Sequence, residues 1–597
     1  MKSAWTLCAV ALLATGLVAQ TDPAPKTSKK KAAAVTAADV QALKDAIAAQ
    51  QAELARQQRQ IQELRDLLRQ KDQGVQQAQT AASDAAAKAD AAQATATQQQ
   101  QSVSELKTDV ADLKTNVANT EVTVQEAQKS VKTAIESPLA IHYKGITITP
   151  GAFLAGSTVF RTRALGSDIN TPFNSVPMPG SSNAAMSEFF GSGRQSQLSM
   201  LAEGKAGMVK GTGYVEADFL SAGVTSNNNL SNSYTLRQRQ AWAQAALDDG
   251  WAFTGGQMWS LLTETKVGLD NRTEATPMTI DAAYTVGFTW ARQYGFRVTK
   301  NFANKAWLGV SVETSQETVT THNNADNFLF GSVGTLGGLY NNQANYSFNP
   351  GVDVVGKLAF QPGFGHYEIF GIVTPVRDRI FPCEDISATT FCGGSAKPGP
   401  NALAAFNSAG AGGGGGANLR WSFAQKHVDF GLHGFGGSGV GRYGSGGLPD
   451  ASVRANGTVY LIKSLQGLST LEFHYPTFDF YFNAGAEYAG RAADFDPVTG
   501  KIVGYGSPQF VNSGCYFETG PGSGGFAPGA LADCTSDTKV LIEGTAGFWQ
   551  RVFNGPKGRV QWGVQYSYVD RQAWSGVGGQ PHGVDNMVFS SFRYYLP

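Results

Sequence analysis

The sequence predicts an all-β transmembrane barrel of about 16 antiparallel strands, preceded by a long α-helical coiled coil. Three observations carry this reading. Residues after position 137 alternate apolar and polar with a period of two, their connections are short and long in turn, and an unbroken seven-residue repeat stands before them. The alternation is clearest from Arg194 to Ser260: Leu198, Met200 and Ala202 share one face, while Gln195, Gln197, Ser199 and Glu203 take the other. In the next stretch Val215 and Ala217 alternate with Tyr214, Glu216 and Asp218. A soluble sandwich also alternates, but its polar face is outside; in a membrane barrel the lumen carries the charge.

Composition agrees. The chain of 597 residues is 42% hydrophobic, 11% aromatic and only 16% charged, with 70 glycines, 19 tyrosines and 34 phenylalanines. That balance suits a large sheet with tight turns and aromatic girdles. Lys+Arg and Asp+Glu both number 47, so net charge indicates no nucleic-acid partner.

The first segment, 1–19, is expected to be a secretory signal peptide: Lys2 precedes an uncharged stretch that ends at Ala19 and gives way to TDPAPKTSKKK. An uncleaved anchor is the alternative, and no lipoprotein box surrounds Cys8. A polar linker, 20–39, follows. Across 40–136 position a of a heptad is filled without a skip, by Val40, Ile47, Leu54, Ile61, Leu68 and Val75, then by alanines, then by Val103, Val110, Val117, Val124 and Val131. Such a repeat predicts a left-handed coiled coil, on the order of 140 Å long. Gln50, Gln57 and Lys71 at d weaken the seam, so a disordered Ala/Gln-rich linker is the competing reading. Heptads leave open whether two or three chains associate.

At Ser137-Pro138 the period changes, since proline cannot continue the helix, and 137–597 is expected to be the barrel. Strands are predicted at 145–162, 194–204, 210–221, 234–247, 251–260, 283–299, 305–314, 349–361, 365–374, 417–424, 427–437, 456–474, 478–489, 538–550, 558–570 and 586–596. Short turns such as DDG, PGF and YPT alternate with long loops at 162–193, 222–233, 261–282, 315–348, 375–416, 438–455, 490–537 and 571–585. Short turns at one rim and long loops at the other are the layout of a bacterial outer-membrane barrel.

The run GRQSQLSMLAEGKAG, with GYVEADF, LRQRQAWAQ and GGQMWSLL after it, resembles the DcaP-type trimeric outer-membrane porins. GSGVGRYG and the closing FSSFRYYLP are similar in kind, although this chain ends in Leu596-Pro597 rather than on an aromatic residue. The resemblance implies a homotrimer in outer-membrane lipid with a periplasmic coiled coil, and passive uptake of small hydrophilic, often anionic, solutes. Contact of the coiled coil with peptidoglycan is compatible with it. A trimeric adhesin with a coiled-coil stalk is the alternative, but adhesins contribute only a few strands per chain.

Candidate pore residues are inward charges. Glu216 and Asp218 lie two apart on one strand, and Arg237 and Arg239 two apart on the next. They form either opposed rows across a constriction or salt bridges within the wall. Gln238, Gln240 and Gln244 are expected to face outward with Trp242, toward a neighbouring barrel. The third long loop carries Glu264, Lys266, Asp270, Arg272 and Glu274, and in the resembled porins this loop enters the lumen; by itself, a charged rim loop is solvated. Arg194, at the start of the second strand, completes the set.

Four cysteines remain after the signal segment. Short loop closure favours Cys383–Cys392 and Cys515–Cys534 among three possible pairings, and the spacings match no zinc pattern. No catalytic constellation, metal site or cofactor motif is expected. GVGRYG at 439–444 satisfies G-x-G-x-x-G, but no helix follows to receive a phosphate.

Overall fold

The computed structural model describes residues 140–222, 234–322, 327–330, 350–381, 405–525 and 527–597. The signal segment, the coiled coil and the Cys383–Cys392 pair lie outside the described residues. Sixteen strands form the wall: β1 (Ile146–Arg161), β2 (Gln197–Ala206), β3 (Val209–Ala222), β4 (Tyr234–Leu247), β5 (Trp251–Trp259), β6 (Arg292–Phe302), β7 (Ala306–Thr314) and β8 (Val352–Phe360). They continue as β9 (His366–Ile380), β10 (Phe406–Phe423), β11 (Val428–Ser438), β12 (Lys463–His474), β13 (Phe478–Ala489), β14 (Thr538–Gly555), β15 (Gly558–Ala573) and β16 (His582–Tyr595). Each is antiparallel to its neighbours. β1 closes the sheet, pairing Ile146 to Phe153 with β2 and Phe153 to Arg161 with β16. Closure leaves no strand edge, so the wall meets its peptide hydrogen bonds within itself.

The parity holds. On β8, Val352, Val354, Leu358 and Phe360 are exposed outward, whereas Asp353, Val355, Lys357 and Ala359 are buried inward. On β15, Trp562, Tyr566 and Tyr568 face out, against buried Gln561, Gln565 and Ser567. Such a pattern inverts a soluble protein, with apolar side chains on the open face and charge inside.

Three strand starts depart furthest from expectation. β10 starts at Phe406 rather than at 417, because the run AGAGGGGG is strand and not loop. The reason is crowding: a Cβ on Gly416 would lie 2.2 Å from the Gly434 carbonyl and 2.6 Å from the Phe370 ring. β12 starts at Lys463, and the residues before it form a small hairpin, Ala451–Val453 with Val459–Leu461, inside the sixth long loop. β6 starts at Arg292, not at 283. Residues 283–291 belong instead to the third long loop, L3 (260–291), whose Val286 and Phe288 are buried against inward side chains of the wall.

L3 crosses the lumen and is pinned around the barrel. Loop peptide groups outside any ladder still need partners, and the wall supplies charged ones. Glu313 of β7 accepts from the Leu261 amide (2.9 Å), Glu543 of β14 from Val286 (2.8 Å) and Glu487 of β13 from Gly287 (2.8 Å). Lys357 of β8 donates to the Thr263 carbonyl (2.7 Å), and the Thr265 hydroxyl donates to Glu368 of β9 (2.6 Å). Gly485 lets the loop touch the wall, since a Cβ there would fall 1.8 Å from the Val286 carbonyl. The sixth loop is held likewise: Arg442 of GVGRYG bridges Asp450 (3.2 Å) and Asp353, which makes that motif a structural pin.

In the seventh loop Cys515 is bonded to Cys534, and the pair packs on Met178 and Ala573. Non-reducing peptide mapping should recover this bridge; free thiols at both positions would contradict the packing. The Lys357–Glu368 pair (2.9 Å) has no solvent exposure on either side chain. Lys357→Met strands the Glu368 charge and should cost about 3–5 kcal/mol, read from the urea midpoint of the barrel in detergent. Lys357→Met with Glu368→Gln should cost less than the single change, and equal losses would show that the two groups are not coupled.

Candidate functional site

Glu216, Asp218, Arg237 and Arg239 meet on one patch of wall. Arg237 holds Asp218 with two bonds, Nε to Oδ1 at 3.0 Å and Nη2 to Oδ2 at 2.9 Å. Arg239 donates from Nη1 to Asp218 Oδ2 (2.8 Å) and from Nε to Glu216. Acids and arginines thus form cross-strand salt bridges between β3 and β4.

A β-bulge makes this convergence possible. Glu216 stands opposite Gln240 and Ala217 opposite Gln238, which leaves Arg239 as the extra residue. An inserted residue switches parity, so Arg237 and Arg239 point inward on one side of the bulge, and Gln240, Trp242 and Gln244 point inward on the other. The outward placement expected for those three is therefore corrected. Gln240 donates to Glu216 (3.2 Å), Trp242 packs on Tyr214, and Gln244 donates to Thr254 (2.9 Å). Gln238 alone of the three glutamines faces out, bonded to Gln257 and Tyr294.

Among the described residues, two cavities that adjoin L3 stand out. The larger, about 530 Å³, lies toward the short turns, and the smaller, about 290 Å³, lies beside β3–β5. Gln197, Arg239, Thr276 and Tyr284 line both. Lys266 lines the larger cavity and Arg272 the smaller, where its guanidinium sits 4.9 Å over the Tyr214 ring. Arg194 and Glu264 line neither: Arg194 is tied to Asp168 (2.9 Å), and Glu264 of L3 is buried against the wall, 3.8 Å from Arg420. Burial raises two L3 carboxyls, to about 6 for Asp281 in the larger cavity and to about 8 for Glu264, where it outweighs the pull of Arg420.

The larger cavity is basic. Arg239, Lys266, Arg551, Arg559 and Arg593 line it, against Asp281, Glu472 and Asp479. Arg593 lies between Trp549 (4.5 Å) and Phe153 (5.2 Å), and Arg559 over Tyr595 (4.1 Å). Aromatic faces hold a guanidinium plane while leaving its N–H edge free to bond. Sequence reasoning missed Arg551, Arg559 and Arg593. A signal existed for the last: in FRYY, Phe592 faces out, so Arg593 must face in.

No protein-family model matches the chain, and no curated protein does. Among solved structures, the outer membrane channel DcaP of Acinetobacter baumannii is 13% identical, covering 76% of this chain and 99% of its own, with a TM-score of 0.50. An anion-selective porin from Comamonas acidovorans is 10% identical over 76% of this chain and 100% of its own, with a TM-score of 0.38. OprB of Pseudomonas putida is 9% identical over 75% and 94%, also at 0.38. The likeness to DcaP is one of fold, and it bears out the barrel that the resemblance implied: the described residues of this chain form a closed barrel of sixteen antiparallel strands like that of the channel.

Proposed function

We propose that the protein is an outer-membrane porin through which small hydrophilic solutes diffuse passively, with a preference for anions. The observation that carries the reading is the basic cavity beneath L3, in which five cations face three carboxylates and Arg239 stands where the two cavities meet. An anion entering from the short-turn side exchanges water for fixed guanidinium edges, which lowers the cost of shedding its hydration shell. The apolar outer face meets lipid, three chains associate as in the trimeric family, and the coiled coil of 40–136 serves assembly or peptidoglycan contact in the periplasm. An adhesin role is disfavoured by sixteen strands closing within one chain.

Reversal potentials across a salt gradient in planar bilayers test the selectivity. A fixed charge is worth about 1 kcal/mol to an ion at 4 Å in water, so Arg559→Gln with Arg593→Gln should lower the anion-to-cation permeability ratio several-fold. Arg237→Ala with Arg239→Ala should move it the same way. An unchanged ratio in both would remove anion preference from the proposal.

The barrel closes on itself between Ile146 and Tyr595. Deleting 40–134 while keeping the signal segment should therefore leave a conducting, heat-modifiable barrel that assembles less efficiently. A chain that forms no folded barrel, or only a closed one, would make the coiled coil integral to the channel.

A further inference from the structure

At the short-turn end of the larger cavity, β11–β13 bring together a cluster of two carboxylates and a histidine. Asp429 of β11 stands opposite Glu472 of β12, and His474 lies two residues further on the same face. Its Nε2 is 3.5 Å from Glu472 Oε2 and 3.6 Å from Asp429 Oδ2. Both separations are long for a hydrogen bond. They match the edge of a tetrahedron of ligands about a metal, roughly 3.4 Å for bonds near 2.1 Å. The ligand atoms of all three residues lie within 4.8 Å of one another.

The other ring nitrogen is also placed as a metal-bound histidine requires. Nδ1 of His474 lies 3.0 Å from Asp479 Oδ1, and Asp479 is itself paired with Arg551. A carboxylate receiving the Nδ1 proton fixes the tautomer and turns the Nε2 lone pair toward the ion. His474 lines the cavity, which leaves an open position for water or solute.

A second observation comes from the loop side. Arg420 shares the two ligand oxygens, at 2.9 Å from Glu472 and 3.5 Å from Asp429. Its other amino group, Nη1, faces Glu264 at 3.8 Å. The Glu264 side chain is 6% exposed, and its Oε1 has no hydrogen-bond partner. That buried oxygen gives the guanidinium somewhere to turn when an ion takes the carboxylates, and it lies on L3.

We propose that Asp429, Glu472 and His474 form a divalent transition-metal site at the short-turn mouth of the larger cavity, with Asp479 orienting the histidine and Arg420 linking the site to Glu264 of L3. One nitrogen and two carboxylate oxygens suit Zn²⁺ and exclude a site built for Mg²⁺, which demands octahedral oxygen ligands. The site does not rest on the porin reading.

The test is calorimetric titration of the full-length protein in detergent, stripped with chelator, using Zn²⁺ alone and then Mg²⁺. One Zn²⁺ per chain and no competition by Mg²⁺ are expected. His474→Ala should abolish binding, and Asp479→Asn should weaken it about 10–100-fold, as loss of an orienting carboxylate does. Asp429→Asn repeats the ligand test if His474→Ala yields no heat-modifiable barrel, and Co²⁺ in place of Zn²⁺ should show the intense visible bands of a four-coordinate ion. Absence of stoichiometric binding by the unaltered protein, or equal binding after loss of His474 or Asp429, would overturn the proposal.

Discussion

A buried peptide group without a partner costs about as much as a lost hydrogen bond, and that constraint orders the described residues. It requires the sheet to close, which β1 does by pairing with β2 along one half and β16 along the other. It acts again inside the lumen, where L3 leaves the ladder. The loop's amides turn to Glu313, Glu487 and Glu543, and its Thr265 hydroxyl to Glu368, so carboxylates on four different strands hold one segment. A carboxylate suits this work because bonds to a charged acceptor are roughly twice as strong as neutral ones. Lys357 stands beside Glu368 and balances its charge.

What was legible in the sequence follows from parity. A strand with one face to the lumen and the other outward must alternate, so Leu198, Val215, Trp562 and Phe592 could be assigned outward and Glu216, Asp218 and Gln565 inward, as they are found. Connection lengths then placed the rims. The errors fall where another constraint overrides alternation. Glycine has no side chain to show a face, so 410–416 carried no parity and read as loop. Residues 283–291 are apolar because the lumen wall buries them, a reason no local pattern distinguishes from lipid contact. At the bulge, the extra Arg239 reversed every later assignment on β4, and nothing in LRQRQAWAQ announces an insertion.

The site was legible only as its local half. Glu216, Asp218, Arg237 and Arg239 could be grouped because they are neighbours in sequence and register. Arg551, Arg559 and Arg593 reach the larger cavity, which of those four only Arg239 lines, from the other end of the chain, and their meeting with Lys266 depends on barrel closure and on the path of L3. A pore is a long-range property in this sense: each wall residue can be oriented from its own strand, but its partner across the lumen cannot.

The division of charge between wall and cavity then follows from burial. Asp218 is almost wholly buried and is paired twice over with arginines, so its charge is spent within the wall and offers little field to a passing ion. Arg559 and Arg593 rest against aromatic rings instead. A ring attracts a cation without cancelling its charge, so these two side chains are held in place and still present their full charge to the cavity. The positive field in such a lumen comes from the cations that aromatic faces position, more than from those that carboxylates hold. That is why the salt-bridged cluster on β3 and β4, the most conspicuous charge pattern in the sequence, carries less of the field than the scattered arginines of the closing strands.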